Sequence, residues 1–511
     1  MIDYPADTIT TLLTKGADDA PAIRAPGRAA LSHGALRAQI ARTVADLNRM
    51  GIGRGDRVAI VLPNGPEMAA SFLAIGAGAT TAPLNPGYRT EEFEFYLSDL
   101  NAKALVIAEG MESPSRDVAA RRGIPIVDLV PTATGPAGAF TLRAPTSLTG
   151  TPAQGGQAEA QDIALVLHTS GTTSRPKIVP LRHINVTASA YHIGATLRLT
   201  PDDTCLNIMP LFHIHGLIAA TLSSLAAGAS VFCTPGFNAF RFFTWFEEAH
   251  PTWYTSVPTM HQAILGLANR HTATIKASRL RFIRSSSSSL PPQVMAALEE
   301  TFGVPVVEAY GMTEAAHQMA SNPLPPGKRY PGSVGKAAGP EIAIMDADGA
   351  LQAPGDLGEV VIRGRDVTAG YENNPTANAA AFTNGWFRTG DQGFLDDAGY
   401  LRLTGRLKEL INRGGEKISP IEVDIVLLDH PAVAQCLTFA MPHAMLGEEV
   451  AAAIVLAEGA SVADHELRAF VSERLAQFKV PRKFVFLQEI PKGATGKLQR
   501  IGLAEKLGIT G

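Results

Sequence analysis

The stretch His168-Thr169-Ser170-Gly171-Thr172-Thr173-Ser174-Arg175-Pro176-Lys177 decides the reading of this chain. It follows the apolar run Ile163-Ala164-Leu165-Val166-Leu167, which reads as a buried strand. A strand opening into such a loop presents backbone N–H groups, hydroxyls and two cations to one small volume. Polyphosphate needs that arrangement: closely spaced donors, with a glycine that lets the backbone approach. The spacing is not the Walker pattern G-x-x-x-x-G-K-[ST], which occurs nowhere in the sequence. A Ser/Thr/Gly-rich loop by itself is more often an ordinary turn, so the reading depends on its Arg-Pro-Lys ending and on what lies downstream.

Around the loop, β-branched apolar runs alternate with helical patterns, which indicates an α/β protein with parallel sheets and crossover helices. Arg57 to Leu62 reads as a strand ending at the turn Pro63-Asn64-Gly65-Pro66. A helix over Glu67 to Gly76 and a strand near Thr81 to Leu84 should follow. Residues 131–161, rich in Pro, Thr, Ala and Gly, read as a surface loop. With 511 residues the chain exceeds one core and should divide. The pattern changes at Gly405, which places the division between 1–405 and a small C-terminal domain, 406–511.

Bulk properties narrow the class. A net charge of −4 argues against nucleic acid and against a polybasic membrane surface as partners. The three cysteines, Cys205, Cys233 and Cys436, have no C-x-x-C spacing, which points to a reducing compartment. No secretory pattern opens the chain and no Ser-Lys-Leu address closes it, so a cytoplasmic enzyme is the expectation. Thr204 to Phe240 carries no Asp, Glu, Lys or Arg, but Pro210, His213, His215 and Gly216 interrupt it. A buried helix followed by a strand fits it better than a membrane span.

Four further segments bear on the phosphate loop. Ala309-Tyr310-Gly311-Met312-Thr313-Glu314 follows an expected strand over Val304 to Glu308, and Glu314 offers a hard oxygen suited to Mg²⁺. Asp391, in Trp386-Phe387-Arg388-Thr389-Gly390-Asp391, offers a carboxylate after a turn, placed to accept from two ribose hydroxyls. Arg406 follows Gly405 and could reach the same sugar. Pro491-Lys492-Gly493-Ala494-Thr495-Gly496-Lys497 presents a glycine-flanked lysine on a loop. Each alone has an ordinary reading: a solvated Glu, a turn-capping Asp, a surface Arg, a solvated Lys. Their joint occurrence in this order does not.

In that order and spacing the segments resemble the adenylate-forming superfamily, from about residue 20 to residue 505. The hinge stretch Gly405-Arg406-Leu407-Lys408-Glu409-Leu410 and Asn412-Arg413-Gly414-Gly415-Glu416-Lys417-Ile418 extend the likeness. The resemblance implies a large N-terminal domain of stacked sheets with flanking helices, a small mobile α+β lid, and ATP where they meet. It implies Thr169, Ser170, Gly171, Thr172, Thr173 and Lys177 on the phosphates, and Glu308, Ala309 and Tyr310 near the adenine. It further implies Thr313 on the α-phosphate, Glu314 on Mg²⁺, Asp391 and Arg406 on the ribose, and Lys497 as catalytic lysine. Lys408 matches the pivot of the lid, and Gly414 and Gly415 match the lining of a tunnel for coenzyme A.

The acid is read from three places. Arg284-Ser285-Ser286-Ser287-Ser288-Ser289-Leu290 places five hydroxyls in succession where fatty-acid and aryl ligases carry Gly/Ala. His317 lies three residues beyond Glu314, and Pro210-Leu211-Phe212-His213-Ile214-His215-Gly216 adds two imidazoles. Such a pocket solvates a second carboxylate and rewards a hydrocarbon poorly. Ser287, His317 and His213 are the expected contacts. The plainer alternative makes the serines a backbone turn and His213 an aromatic gate. Thr252-Trp253-Tyr254-Thr255, Leu280 to Ser285 and Ser321-Asn322-Pro323-Leu324-Pro325 are similar to the oxalate–CoA ligases, implying oxalate as the small carboxylic acid joined to CoA. A malonate, short-chain or aromatic acid ligase, or a stand-alone adenylation domain loading a carrier protein, remain the alternatives.

Overall fold

A computed structural model describes residues 4–132, 134–169, 176–492 and 498–509. The six residues after Thr169, and 493–497 with Lys497, lie outside the described residues. The phosphate-loop positions Ser170, Gly171, Thr172 and Thr173 and the catalytic-lysine position are therefore located only by what flanks them.

Two large sheets carry the N-terminal part. The first has seven strands in the order Phe140–Arg143, Ile126–Pro131, Ala104–Ala108, Arg57–Val61, Thr80–Pro83, Ile163–Thr169, Lys177–Arg182. Its interior pairings are parallel, as the alternating pattern predicts. The helix between Arg57–Val61 and Thr80–Pro83 spans Pro66–Gly76, with Pro66 in its first turn, where its missing N–H costs nothing. Phe140–Arg143 corrects the expectation of a loop throughout 131–161, because it pairs antiparallel with Ile126–Pro131.

The second sheet has nine strands and centres on Val306–Met312, Phe282–Ser285, Trp253–Ser256, Thr204–Asn207 and Ser230–Cys233, all mutually parallel. The uncharged stretch 204–240 forms the strand Thr204–Asn207, a buried helix, and the strand Ser230–Cys233. That helix is wide over His215–Leu222 and α-helical over Ser223–Ala226. Ser223 and Ser224 donate to Ala219 and Ala220 carbonyls at 2.6 Å, back-bonds of the kind that disturb a regular ladder. Among the described residues no helix is long and apolar enough to cross a membrane. One continuous apolar core joins both sheets, from Ile9 to Leu401.

A five-stranded antiparallel sheet follows, built on Gly358–Arg363, Trp386–Leu395 and Leu401–Arg406. Asp391 is not at a turn end, as its sequence context implied, but inside the strand Trp386–Leu395, beside a bulge. Gly390 has φ +74° there, which tilts the next side chain out of the regular alternation. Arg406 closes Leu401–Arg406, so the 405/406 division falls inside that strand. The chain changes sheet over the turn 407–410.

The C-terminal part has its own sheet, Glu416–Ile418, Ile411–Arg413, Gly447–Leu456, Val433–His443 and Lys483–Phe486. Its apolar clusters, which include Ile411, Val423, Leu437, Phe439, Ile454 and Ile490, draw only on residues from 411 onward. A separate core is the mark of a separate domain. The fold is thus mixed α/β, with a large N-terminal and a small C-terminal domain.

Candidate active site

The candidate site lies where the carboxyl ends of the parallel strands open, the usual ligand position in such sheets. Thr169 and Lys177 face each other as the last rung of the antiparallel ladder between Ile163–Thr169 and Lys177–Arg182. Lys177 Nζ lies 4.3 Å from the Tyr371 ring centroid, a cation–π contact that fixes the ammonium at the end of that ladder. The Tyr371 hydroxyl donates to Glu314 Oε1 at 2.9 Å. Burial raises the Glu314 carboxyl, opposed by the Tyr371 hydrogen bond and by the charges of Arg406 and Lys177. Lys177, Tyr371 and Glu314 are therefore one cluster, although 57 residues separate Glu314 from the tyrosine.

Glu314 is the only part of a metal site that the sequence offered. Among the described residues no three His, Cys, Asp or Glu side chains converge as a resident metal cage requires. One buried hard oxygen fits Mg²⁺ arriving with polyphosphate, since that ion keeps its waters and takes one or two carboxylates.

The strand Val306–Met312 runs further than expected and carries Glu308, Ala309 and Tyr310 within it. Tyr310 donates its hydroxyl to Asp391 Oδ2. Arg406 Nε donates to Asp391 Oδ1 at 3.0 Å, and the two residues are register partners across adjacent strands. The structure thus brings Asp391, Arg406 and Tyr310 together.

Glu308 also braces the serine run. Its Oε1 accepts from Leu290 N–H at 2.8 Å, bracing the end of the serine run, while Oε2 is buried with no hydrogen-bond partner. Desolvation pushes its carboxyl up to about 8, so it carries a proton at neutral pH. Thr313 opens the short turn Thr313–Ala315, half-buried.

Of the five serines, one points to the imidazoles. Ser285 and Ser286 are buried, and Ser286 Oγ donates to Ala309 O at 2.9 Å, which ties the run to the neighbouring strand. Ser288 Oγ turns back onto Ser287 O. Ser287, at φ +76°, places its Oγ 3.0 Å from His215 Nδ1. The His215 ring centroid lies 4.9 Å from that of His317. The imidazole that joins Ser287 to His317 is therefore His215, buried, and not His213. His213 instead accepts from His215 N–H at 3.3 Å through Nδ1. His317 holds φ +109°, and an added Cβ on Gly311 would meet its carbonyl oxygen at 1.7 Å. The bare Gly311 backbone is what admits this turn.

In the C-terminal domain Lys408 is exposed in the turn 407–410. Gly414 and Gly415, at φ +59° and +101°, form the two-residue turn of the hairpin Ile411–Arg413/Glu416–Ile418. That turn demands positive φ at both positions, which accounts for the glycines structurally. Lys492 and Leu498 bridge antiparallel and so bracket Lys497. Arg500, just beyond, pairs with Asp424 at 2.7 Å and Glu409 at 3.5 Å. Arg500 thereby ties the chain after Leu498 to the turn that holds Lys408.

An ammonium held beside a buried carboxylate, and a carboxylate–arginine pair beside a tyrosine, suit a nucleotide-dependent enzyme of two domains. The chain belongs to the AMP-binding enzyme family: that family's model matches residues 13–372, and the model of its C-terminal domain matches residues 422–497. It is 46% identical to an oxalate–CoA ligase of Arabidopsis thaliana, over 97% of this chain and 98% of that one. An oxalate–CoA ligase of Saccharomyces cerevisiae is 44% identical over 88% of this chain and 87% of its own. The crystal structure of ATP-bound MatB from Rhodopseudomonas palustris superposes with a TM-score of 0.87 at 29% identity, covering 98% of each chain.

Sequence reasoning did not select Tyr371, Thr255, His215 or Arg284 as site residues. His215 had a signal, since it stood in the quoted histidine loop. Tyr371 had none.

Proposed function

We propose that the protein is an ATP-dependent acid–CoA ligase whose acid is a small dicarboxylate, oxalate first. In the first half-reaction a substrate carboxylate oxygen attacks the α-phosphorus of ATP. The bond to the pyrophosphate oxygen breaks, giving an acyl adenylate and pyrophosphate. In the second, the CoA thiol loses its proton and attacks the acyl carbon, AMP leaves with the electron pair of the C–O bond, and the thioester remains.

The site residues divide between these steps. Thr169, Ser170, Gly171, Thr172, Thr173 and Lys177 hold the phosphates, with Thr313 on the α-phosphate. Glu308, Ala309 and Tyr310 line the adenine, and Asp391 with Arg406 holds the ribose. Mg²⁺ between Glu314 and the phosphates would supply positive charge that offsets the polyphosphate. Lys497 brings its ammonium to the meeting of two anions, where preorganised charge is worth most. Residues 1–405 form the adenylation domain and 406–511 the lid, which turns at Lys408 so that the CoA arm can enter past Gly414 and Gly415.

One observation favours a dicarboxylate: the Ser287–His215–His317 cluster. A hydroxyl and imidazoles gathered in one place offer hydrogen bonds to a second carboxylate and little to a hydrocarbon tail. The 44–46% identity to two oxalate–CoA ligases supports oxalate. The test is AMP release with CoA over a panel of oxalate, malonate, acetate, hexanoate and cinnamate. Oxalate should give the highest kcat/KM; a preference for hexanoate or cinnamate would reduce the serine run to a turn.

A further inference from the structure

Arg284 lies on the strand Phe282–Ser285 and is completely buried. No carboxylate of the described residues comes within ion-pair distance of its guanidinium. Its Nη1 lies 3.4 Å from Thr255 Oγ1, on the register partner in the next strand, and its Nη2 lies 3.3 Å from Gln318 Oε1. Gln318 Nε2 donates to Thr196 Oγ1 at 3.2 Å and Ala338 O at 2.8 Å, which turns its carbonyl oxygen toward the guanidinium. Nε has no partner. A lone buried cation of this kind is expensive, and a stability argument alone gives no reason to keep it.

We propose that Arg284 is a positioning residue: it fixes the direction of a hydrogen-bond chain through Thr255 and His215 to Ser287, so that the Ser287 hydroxyl meets the acid as a donor. The inference rests on the reading in which Ser287 faces the non-reacting carboxylate of the substrate.

The direction follows from the donor inventory. A guanidinium only donates, so Thr255 Oγ1 accepts from Arg284 and has one proton to give. Its other partner is His215 Nε2 at 2.6 Å. Thr255 donates to Nε2, which must then be the bare nitrogen, and the ring proton sits on Nδ1. Nδ1–H donates to Ser287 Oγ at 3.0 Å. The Ser287 proton is consequently directed away from His215 and is available to a carboxylate oxygen.

The opposite direction would place two donors on the Thr255 oxygen and leave its own proton buried without an acceptor, since Thr255 is fully enclosed. Burial lowers the Arg284 guanidinium to about 9, so it remains a cation at neutral pH. That charge favours an acid that keeps a second negative group in the pocket.

The full chain, labelled with ¹⁵N-histidine, is read by long-range ¹H–¹⁵N correlation near neutral pH, with His215→Gln identifying the His215 signals. The expected result is the Nδ1–H tautomer. Thr255→Val, nearly isosteric, should release the ring to mixed tautomers. It should lower kcat/KM for oxalate about 10-fold or more, mainly through KM, with acetate much less affected. Thr255→Ser should restore both the tautomer and most of the selectivity. Arg284→Met should resemble Thr255→Val if it folds; if it does not, the threonine pair decides. An Nε2–H tautomer or an imidazolium in the wild type would overturn the proposal, as would Thr255→Val with unchanged oxalate preference. If the wild type does not use oxalate at all, the reading of the acid fails, while the tautomer still decides the direction of the chain.

Discussion

The Tyr371 hydroxyl donates to Glu314 at 2.9 Å, and the face of the same ring holds the Lys177 ammonium at 4.3 Å. One aromatic side chain therefore sets the position of the cation and the acidity of the carboxylate expected to handle polyphosphate. The hydrogen bond lowers the Glu314 carboxyl against the burial that raises it. Tyr371→Phe keeps the ring and removes the donor. Glu314 must then lose its proton at a higher pH, so the acid limb of the ATP–pyrophosphate exchange profile should move upward. An unchanged limb would separate Glu314 from the first half-reaction.

Glu308 should leave its mark on stability. Its carboxyl holds a proton up to about 8 in the folded protein, against 4.5 in the unfolded chain. Between those values the folded state binds more protons, so this contribution is complete below the lower value and is lost as pH rises through the upper one. Glu308→Gln, which cannot ionise, should flatten the fall in Tm between about pH 5 and pH 8, a difference on the order of a few kcal/mol in a fully buried group. Calorimetry of both proteins across that range checks it; parallel Tm curves would mean that Glu308 is ionised in the fold.

His317 should act on the acid's second carboxylate. A hydrogen bond to a charged group is worth about 1.5–3 kcal/mol, so His317→Ala should lower kcat/KM for oxalate by roughly 10- to 150-fold. Acetate and propionate, which lack the second carboxylate, should lose little. Equal losses on all three acids would assign His317 to structure, through its contact with His215.

Lys497 is expected to serve adenylation alone. Lys497→Ala should lower adenylate formation by about 10²- to 10³-fold, the scale of a lost preorganised donor, and largely spare thioester formation from a supplied acyl adenylate. Rapid-quench measurement of the two half-reactions separates these outcomes. Comparable loss in both would remove the lysine from its proposed place.

Lys408→Pro should show the converse. Proline fixes φ, and a pivot that must change its backbone angles cannot tolerate that. Thioester formation should fall well below pyrophosphate exchange. Exchange reduced as far as total turnover would mean that the chain does not turn at this residue.

Much of this molecule was present in its sequence as local pattern. The strand Ile163–Thr169 and the parallel layout followed from apolar runs of strand length, because periodicity reports which faces of an element are buried. The likeness of ordered motifs also marked Asp391, Arg406 and Tyr310, which the fold brings into hydrogen-bonding contact. Element limits were less legible. Val306–Met312 extends beyond its expected end because pairing with His317–Ser321 continues the ladder, and residues 140–143 gain order from a neighbouring strand.

Tertiary structure alone decided which polar groups meet. Five serines in a row are equivalent in sequence, yet strand register buries Ser285 and Ser286 and turns Ser287, at φ +76°, toward His215. Two histidines stood two residues apart, and the wide helix that begins at His215 carried that one into contact with His317. Tyr371 and Arg284 gave no local signal, because a cation–π contact or a buried guanidinium depends on groups far away along the chain. Sequence periodicity records the burial of each element by itself; the partners of a buried polar atom are fixed only when the elements pack.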